Sequence, residues 1–83
     1  MEETHRGCLI ASYALAIPRS NRWRCKVVIE WDEKSTRRCK AFDGPPDGFE
    51  SADKAVAWGI AFGKEWIDGG GWFLIYPDGR FKI

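Results

Sequence analysis

From residue 22 to residue 31 the side chains alternate, with Trp23, Cys25, Val27, Ile29 and Trp31 on one side and Arg22, Arg24, Lys26, Val28 and Glu30 on the other. A pleated strand repeats its side-chain direction every two residues, so this pattern predicts one buried and one wet face. Residues 7–17 form an apolar run whose odd positions, Leu9, Ala11, Tyr13, Leu15 and Ile17, carry the larger groups. Turning those groups inward predicts a first strand with Cys8, Ile10, Ser12, Ala14 and Ala16 facing out. Pro18-Arg19-Ser20-Asn21 supplies the turn between the two strands. Residues 1–6 are polar and are expected to be a flexible tail ahead of one domain at 7–83.

Residues 32–36 are a polar connection to a third strand over 37–42. Its register follows from charge. With Trp31 opposite Arg37, Ile29 faces Cys39 and Val27 faces Ala41, so small and apolar groups share the buried side. A one-residue slip would set Arg38 and Lys40 beneath Ile29 and Val27 and bury unpaired charge. The expected register leaves Arg38, Lys40 and Phe42 outward with Arg24, Lys26 and Val28.

Asp43-Gly44-Pro45-Pro46-Asp47-Gly48 reads as a loop, and Ser51 is a suitable N-cap for a helix over 52–68. At 100° per residue, Asp53, Lys54, Ala57, Ala61, Lys64, Glu65 and Asp68 fall in one arc of about 120°. The opposite side collects Ala52, Ala55, Val56, Trp58, Ile60, Phe62, Trp66 and Ile67, with Gly59 and Gly63 near its centre. Each glycine costs roughly 1 kcal/mol of helix propensity, which is accounted for if the helix lies close on the sheet. Gly69-Gly70-Gly71 is expected to end the helix in a left-handed cap. A strand over 72–76, a Pro77-Asp78-Gly79 turn and a strand over 80–83 complete the reading. The predicted class is α+β in the order β-β-β-α-β-β, with one amphipathic helix packed on one face of an antiparallel sheet.

Composition narrows the function more than the fold. Eighty-three residues, 45% hydrophobic and 30% charged, make one small globular domain. Such a chain buries only roughly 60–65% of its unfolded surface, so five Trp, five Phe and two Tyr are how its core reaches adequate area. A net charge of +1 excludes a bulk polycation. The charge is nonetheless segregated. Residues 19–40 hold eight Lys/Arg against three Asp/Glu, an excess of +5, and the rest holds five against nine, or −4.

Cys8, Cys25 and Cys39 are widely spaced and the one histidine is His5, a poor donor set for structural zinc. Reduced, buried thiols in a cytoplasmic protein are expected. The run at 8–17 lacks the basic start of a signal peptide, and at ten residues it is too short to cross a bilayer. No membrane role, metal or cofactor is expected. The triple glycine follows a helix rather than opening one, the wrong polarity for a phosphate loop. No nucleophile has a base within a credible scaffold, so the chain is read as a non-enzymatic domain.

Two surfaces carry the functional expectations. The apolar outer face of the first strand, with Ile10, Ala14, Ala16 and Val28, is the candidate self-association surface, through which the chain would act by protein contacts as a homodimer. Arg22, Arg24, Lys26, Arg38, Lys40 and Phe42 form the candidate basic face, and the alternative reading is single-stranded nucleic-acid binding there. A third, lesser reading places a small ligand at an aromatic seam of Trp58, Phe62 and Trp72.

Trp23 in the first hairpin, Phe49, Ser51 and Ala55 opening the helix, Gly71 opening a hydrophobic strand, and Asp78-Gly79-Arg80 at its end form a pattern. In this, residues 22–83 resemble a family of short, uncharacterised bacterial domains with a strand–helix–strand core. The long first strand, the Pro45-Pro46 loop and Tyr76, where a histidine is common, depart from that family. The resemblance implies a small domain without assigned activity and supplies no catalytic residues.

Overall fold

The computed structural model describes residues 1–69. Four antiparallel strands form one sheet in the order β1 (Glu2–His5), β2 (Cys8–Ala16), β3 (Trp23–Glu33) and β4 (Thr36–Asp43), and one helix, α1 (Ala52–Asp68), follows them. The α+β class and the single helix on one face agree with the sequence reading. The strands expected over 72–76 and 80–83, and the turn between them, lie outside the described residues.

The first correction concerns residues 1–6, which are not a free tail. Glu2–His5 pairs with β2 from Glu2↔Ala11 to His5↔Cys8, through a tight turn with Arg6 at φ 52° and Gly7 at φ 81°. With no apolar residue among its four, β1 has no hydrophobic alternation to announce it. Polar contacts tie it and the turn after it to the helix instead: an ion pair of Glu3 with Lys64, a hydrogen bond of His5 Nε2 with Asp68 Oδ1 at 2.8 Å, and Arg6 Nε to the same oxygen at 3.2 Å.

The second correction is the direction of β2. Cys8, Ile10 and Ser12 are buried beneath the helix, whereas Tyr13 and Leu15 are 46% and 49% exposed on the opposite face. Side-chain size is a poor guide here because α1 runs almost on the backbone of β2. A Cβ on Gly59 would lie 2.0 Å from Ser12 Oγ, and one on Gly63 would lie 2.7 Å from Ile10 Cγ2. The two helix glycines leave room there for Ser12 and Ile10, and the Ser12 hydroxyl is satisfied by donating to the Val56 carbonyl at 3.0 Å. The close approach expected from the two helix glycines is therefore present, but it selects the even residues of β2.

The third correction is the register of β4. Lys34 and Ser35, at φ 50° and 67°, make a two-residue turn that pairs Glu33 with Thr36. That turn carries Trp31 opposite Arg38, Ile29 opposite Lys40 and Val27 opposite Phe42. Arg38, Lys40 and Phe42 consequently lie on the helix side of the sheet. The burial cost anticipated for this arrangement does not arise, since β4 is the outermost strand among the described residues and both Arg38 and Lys40 stay exposed. Phe42 alone turns under the helix, its ring 5.0 Å from Phe62 and 5.3 Å from Trp66.

The core is the alternating face of β3 (Cys25, Val27, Ile29, Trp31) closed by Cys8 and Ile10 of β2 and by Ala55, Ile60 and Ile67 of α1. Ser51 caps the helix, its Oγ accepting from Lys54 N at 3.1 Å. At the other end Gly69 is right-handed, φ −78°, and donates to the Glu65 carbonyl, so the expected left-handed cap is not at Gly69. Its two following glycines lie outside the described residues.

Candidate interaction surface

Because side chains alternate along every strand, the registers assign the outer face of the sheet row by row. Its central row is Glu2, Ala11, Val28 and Ala41. One row toward the β2–β3 connection stand Tyr13, Lys26 and Asp43, and beyond them Leu15 and Arg24. One row the other way stand Thr4, Leu9, Glu30 and Cys39, and then Asp32 and Arg37. An antiparallel sheet with one solvated face normally lines it with polar groups. Here β2 contributes Leu9, Ala11, Tyr13 and Leu15, and Val28 and Ala41 extend that apolar stripe across the sheet.

Charge on this face is arranged rather than mixed. Along β3, Arg24 and Lys26 lie on one side of Val28, and Glu30 and Asp32 on the other. Arg37 Nε donates to Glu30 Oε1 and its Nη1 to Asp32 Oδ1, both at 3.1 Å. Those two bonds raise the guanidinium further above its already high ordinary value. On the exposed edge such pairs add little to stability, but they hold both carboxylates in place.

The residues singled out from the sequence separate into three places. Arg24, Lys26 and Val28 lie on the outer face as expected. Arg38, Lys40 and Phe42 lie on the helix face, where Lys40 Nζ sits 5.9 Å above the Phe42 ring and Arg38 Nε is 3.8 Å from Glu33 Oε1. Arg22 precedes β3 and donates from Nε to the Asp47 carbonyl at 2.7 Å and from Nη2 to that of Gly48 at 2.9 Å. The six basic-face candidates are therefore not one surface. Of the self-association candidates, Ile10 is fully buried under α1 and Ala14 packs against the core, while Ala16 is exposed at the end of β2 on that same face. Val28 remains on the outer face. The residues that sequence reasoning missed are Leu9, Tyr13 and Leu15, since their size pointed inward.

On the other side of the sheet, Trp31, Trp66, Phe42, Phe62, Trp58 and Phe49 form an unbroken series of ring contacts 5.0–5.9 Å apart. Trp58 and Phe62 are stacked at 14°, which places the aromatic seam within the packing of helix on sheet; Trp72 lies outside the described residues. A shallow groove of about 660 Å³ beside α1, between Met1, Val56, Ile60 and Ala61, has Asp53 and Lys64 as its charged lining. Among the described residues no group of His, Cys, Asp and Glu is arranged to hold a metal ion. No described helix is long and apolar enough to cross a membrane.

In comparisons with known proteins, the chain matches no family model, no curated protein and no solved structure.

Proposed function

We propose that this chain is a small non-enzymatic domain that acts through protein contacts, and that the open face of its sheet is the contact surface. The observation that carries this reading is the half-exposed pair Tyr13 and Leu15, set in an apolar stripe with Leu9, Ala11, Val28 and Ala41 where solvated side chains would otherwise stand. The reading keeps the two strands that alternation predicts over 72–76 and 80–83. It also keeps the family resemblance and a reducing, cytoplasmic setting suited to three free thiols.

The alternative, a single-stranded nucleic-acid surface, depends on Arg22, Arg24, Lys26, Arg38, Lys40 and Phe42 acting together. Their division between two faces and a loop leaves two of the six, Arg24 and Lys26, on the open face, where the exposed ring beside Lys26 is Tyr13 and the third cation, Arg37, is held by Glu30 and Asp32. Protein contact is the better-supported reading.

The test is capture on tagged full-length chain, wild type against a Tyr13→Lys, Leu15→Lys double variant whose fold is checked by circular dichroism. The wild type should retain a protein, whether a second copy or another chain, that the variant loses. Equal retention by both overturns the face, and nothing retained by either overturns the reading. An oligonucleotide bound at about 50 mM salt, and weakened by Arg24→Ala, would favour the alternative.

A further inference from the structure

Resting on the protein-contact reading above, we infer that the partner fitted by the open face is a second copy of this chain, related by a two-fold axis across the Ala11–Val28–Ala41 row. The outer residues of β3 read Arg24, Lys26, Val28, Glu30, Asp32: two positive, one neutral, two negative, with Val28 at the centre. An axis in the plane of the interface and perpendicular to the strands turns a second sheet face to face and antiparallel. It sets β3 over β3 and reverses its direction, so Lys26 comes over Glu30 of the second copy and Arg24 over its Asp32, each pair twice. The same rotation lays β2 over β2 and brings Tyr13 over Leu9 of the second copy.

The row on the axis has the shortest side chains of the face, Ala11, Val28 and Ala41, so the two sheets can close over it. Ala11 is already only 3% exposed between its larger neighbours. Packed sheets cross at about 30° rather than lying in line, which shifts the corners but not the centre. The other two-fold arrangement, with the axis along β3, would set Lys26 over Lys26 and Glu30 over Glu30. Like charges therefore exclude it, and an isologous contact must be self-complementary.

The remaining charges of the face fit the same axis. Arg37 bonds Glu30 and Asp32 within its own chain, and a carboxylate has further lone pairs for a lysine or arginine across the interface. Asp43 comes over Cys39. Glu2, at the end of the axis row, meets its own copy at the exposed rim, where salt screens it most. At the spacings of a pleated sheet the apolar and charged rows cover about 30 Å by about 16 Å, or about 500 Å² per copy. Stable complexes bury about 800 Å² per partner, so this dimer should dissociate on dilution.

Sedimentation equilibrium of the full chain over a range of concentration and salt tests the arrangement. A reversible dimer weakened by salt is expected. Lys26→Glu and Glu30→Lys should each weaken it at least about tenfold, since like charges then face each other in both pairs. The double variant Lys26→Glu, Glu30→Lys exchanges the signs and should regain it. If Glu30→Lys disturbs Arg37 and the fold, Arg24→Glu, which touches neither Arg37 nor its carboxylate partners, asks the same question one row out and should weaken the dimer in the same way. A dimer indifferent to these exchanges overturns the inference. So does a monomer at about 1 mM, a concentration at which a contact with a dissociation constant of about 1 mM would already populate the dimer. The protein-contact reading itself fails only if the capture experiment also returns nothing.

Discussion

At Gly59 a methyl group would sit 2.0 Å from Ser12 Oγ and 2.9 Å from Cys25 Sγ, both fixed on buried strands. At Gly63 the clash is with Ile10, 2.7–3.1 Å away, a fully buried β-branched side chain with little freedom to turn. Alanine would add about 1 kcal/mol of helix propensity at either site, against an overpacking cost of about 1–3 kcal/mol. Gly59→Ala and Gly63→Ala should thus each lower stability in urea, by up to about 2 kcal/mol; a gain at either site would contradict the packing. The cysteines make a second contrast. Burial pushes the thiols of Cys8 and Cys25 up, and for Cys25 the hydrogen bonds with Ser12 and Gly59 pull it partly back. Cys39 is exposed on β4. Iodoacetamide at about pH 8 should label Cys39 in the native protein, and Cys8 and Cys25 only after unfolding, as mass spectrometry would read. Burial of Cys25 was legible in the alternation of β3. Exposure of Cys39 was not, because it depends on a register set several residues away.

The helix was the most legible element, since its period, its Ser51 cap and its glycines all point to the same packing. Ser51→Ala removes the acceptor for Lys54 N and should cost about 1 kcal/mol in thermal or chemical unfolding. The hairpin joining β3 and β4 was the least legible. Lys34 and Ser35 hold positive φ without the usual Asn or Gly, so neither residue advertises a two-residue turn. Lys34→Asn with Ser35→Gly should relieve that strain and stabilise the protein by about 0.5–1 kcal/mol, leaving the Glu33↔Thr36 pairing intact. A loss of stability would show that the turn is not the source of the register. The exposed Glu50–Lys54 pair is a weaker feature: the Lys54 ammonium, by hydrogen bond and then by charge, holds the Glu50 carboxyl below its ordinary value. Its small contribution is present above the unfolded-state value and is lost as pH falls through the lowered one.

For the molecule as a whole, the sidedness of β2 decides what the protein can touch. Ile10 is fully buried beneath Gly63, whereas Leu15 is 49% exposed on the far side of the sheet. Ile10→Lys should therefore abolish cooperative unfolding, because it buries a charge without a partner. Leu15→Lys should leave stability within about 0.5 kcal/mol, and circular dichroism melts of the two variants would separate these outcomes. If Leu15→Lys unfolded the chain and Ile10→Lys did not, the open face and the interface built on it would have to be exchanged for the other side.

Local periodicity by itself determined the amphipathic helix over 52–68, its cap, the buried face of β3 and the α+β class, because each depends on residues adjacent in the chain. It also determined the charge order along β3, on which the inferred two-fold contact rests. Tertiary structure decided the rest. The helix lies so close to β2 that Gly59 sits over Ser12 and Gly63 over Ile10, so the strand turns its even residues inward and offers Tyr13 and Leu15 to the outside. Standing outermost among the described strands, β4 keeps Arg38 and Lys40 on the helix side without burying them. Strand β1, lacking any apolar pattern, exists through backbone pairing and polar contacts with residues far along the chain.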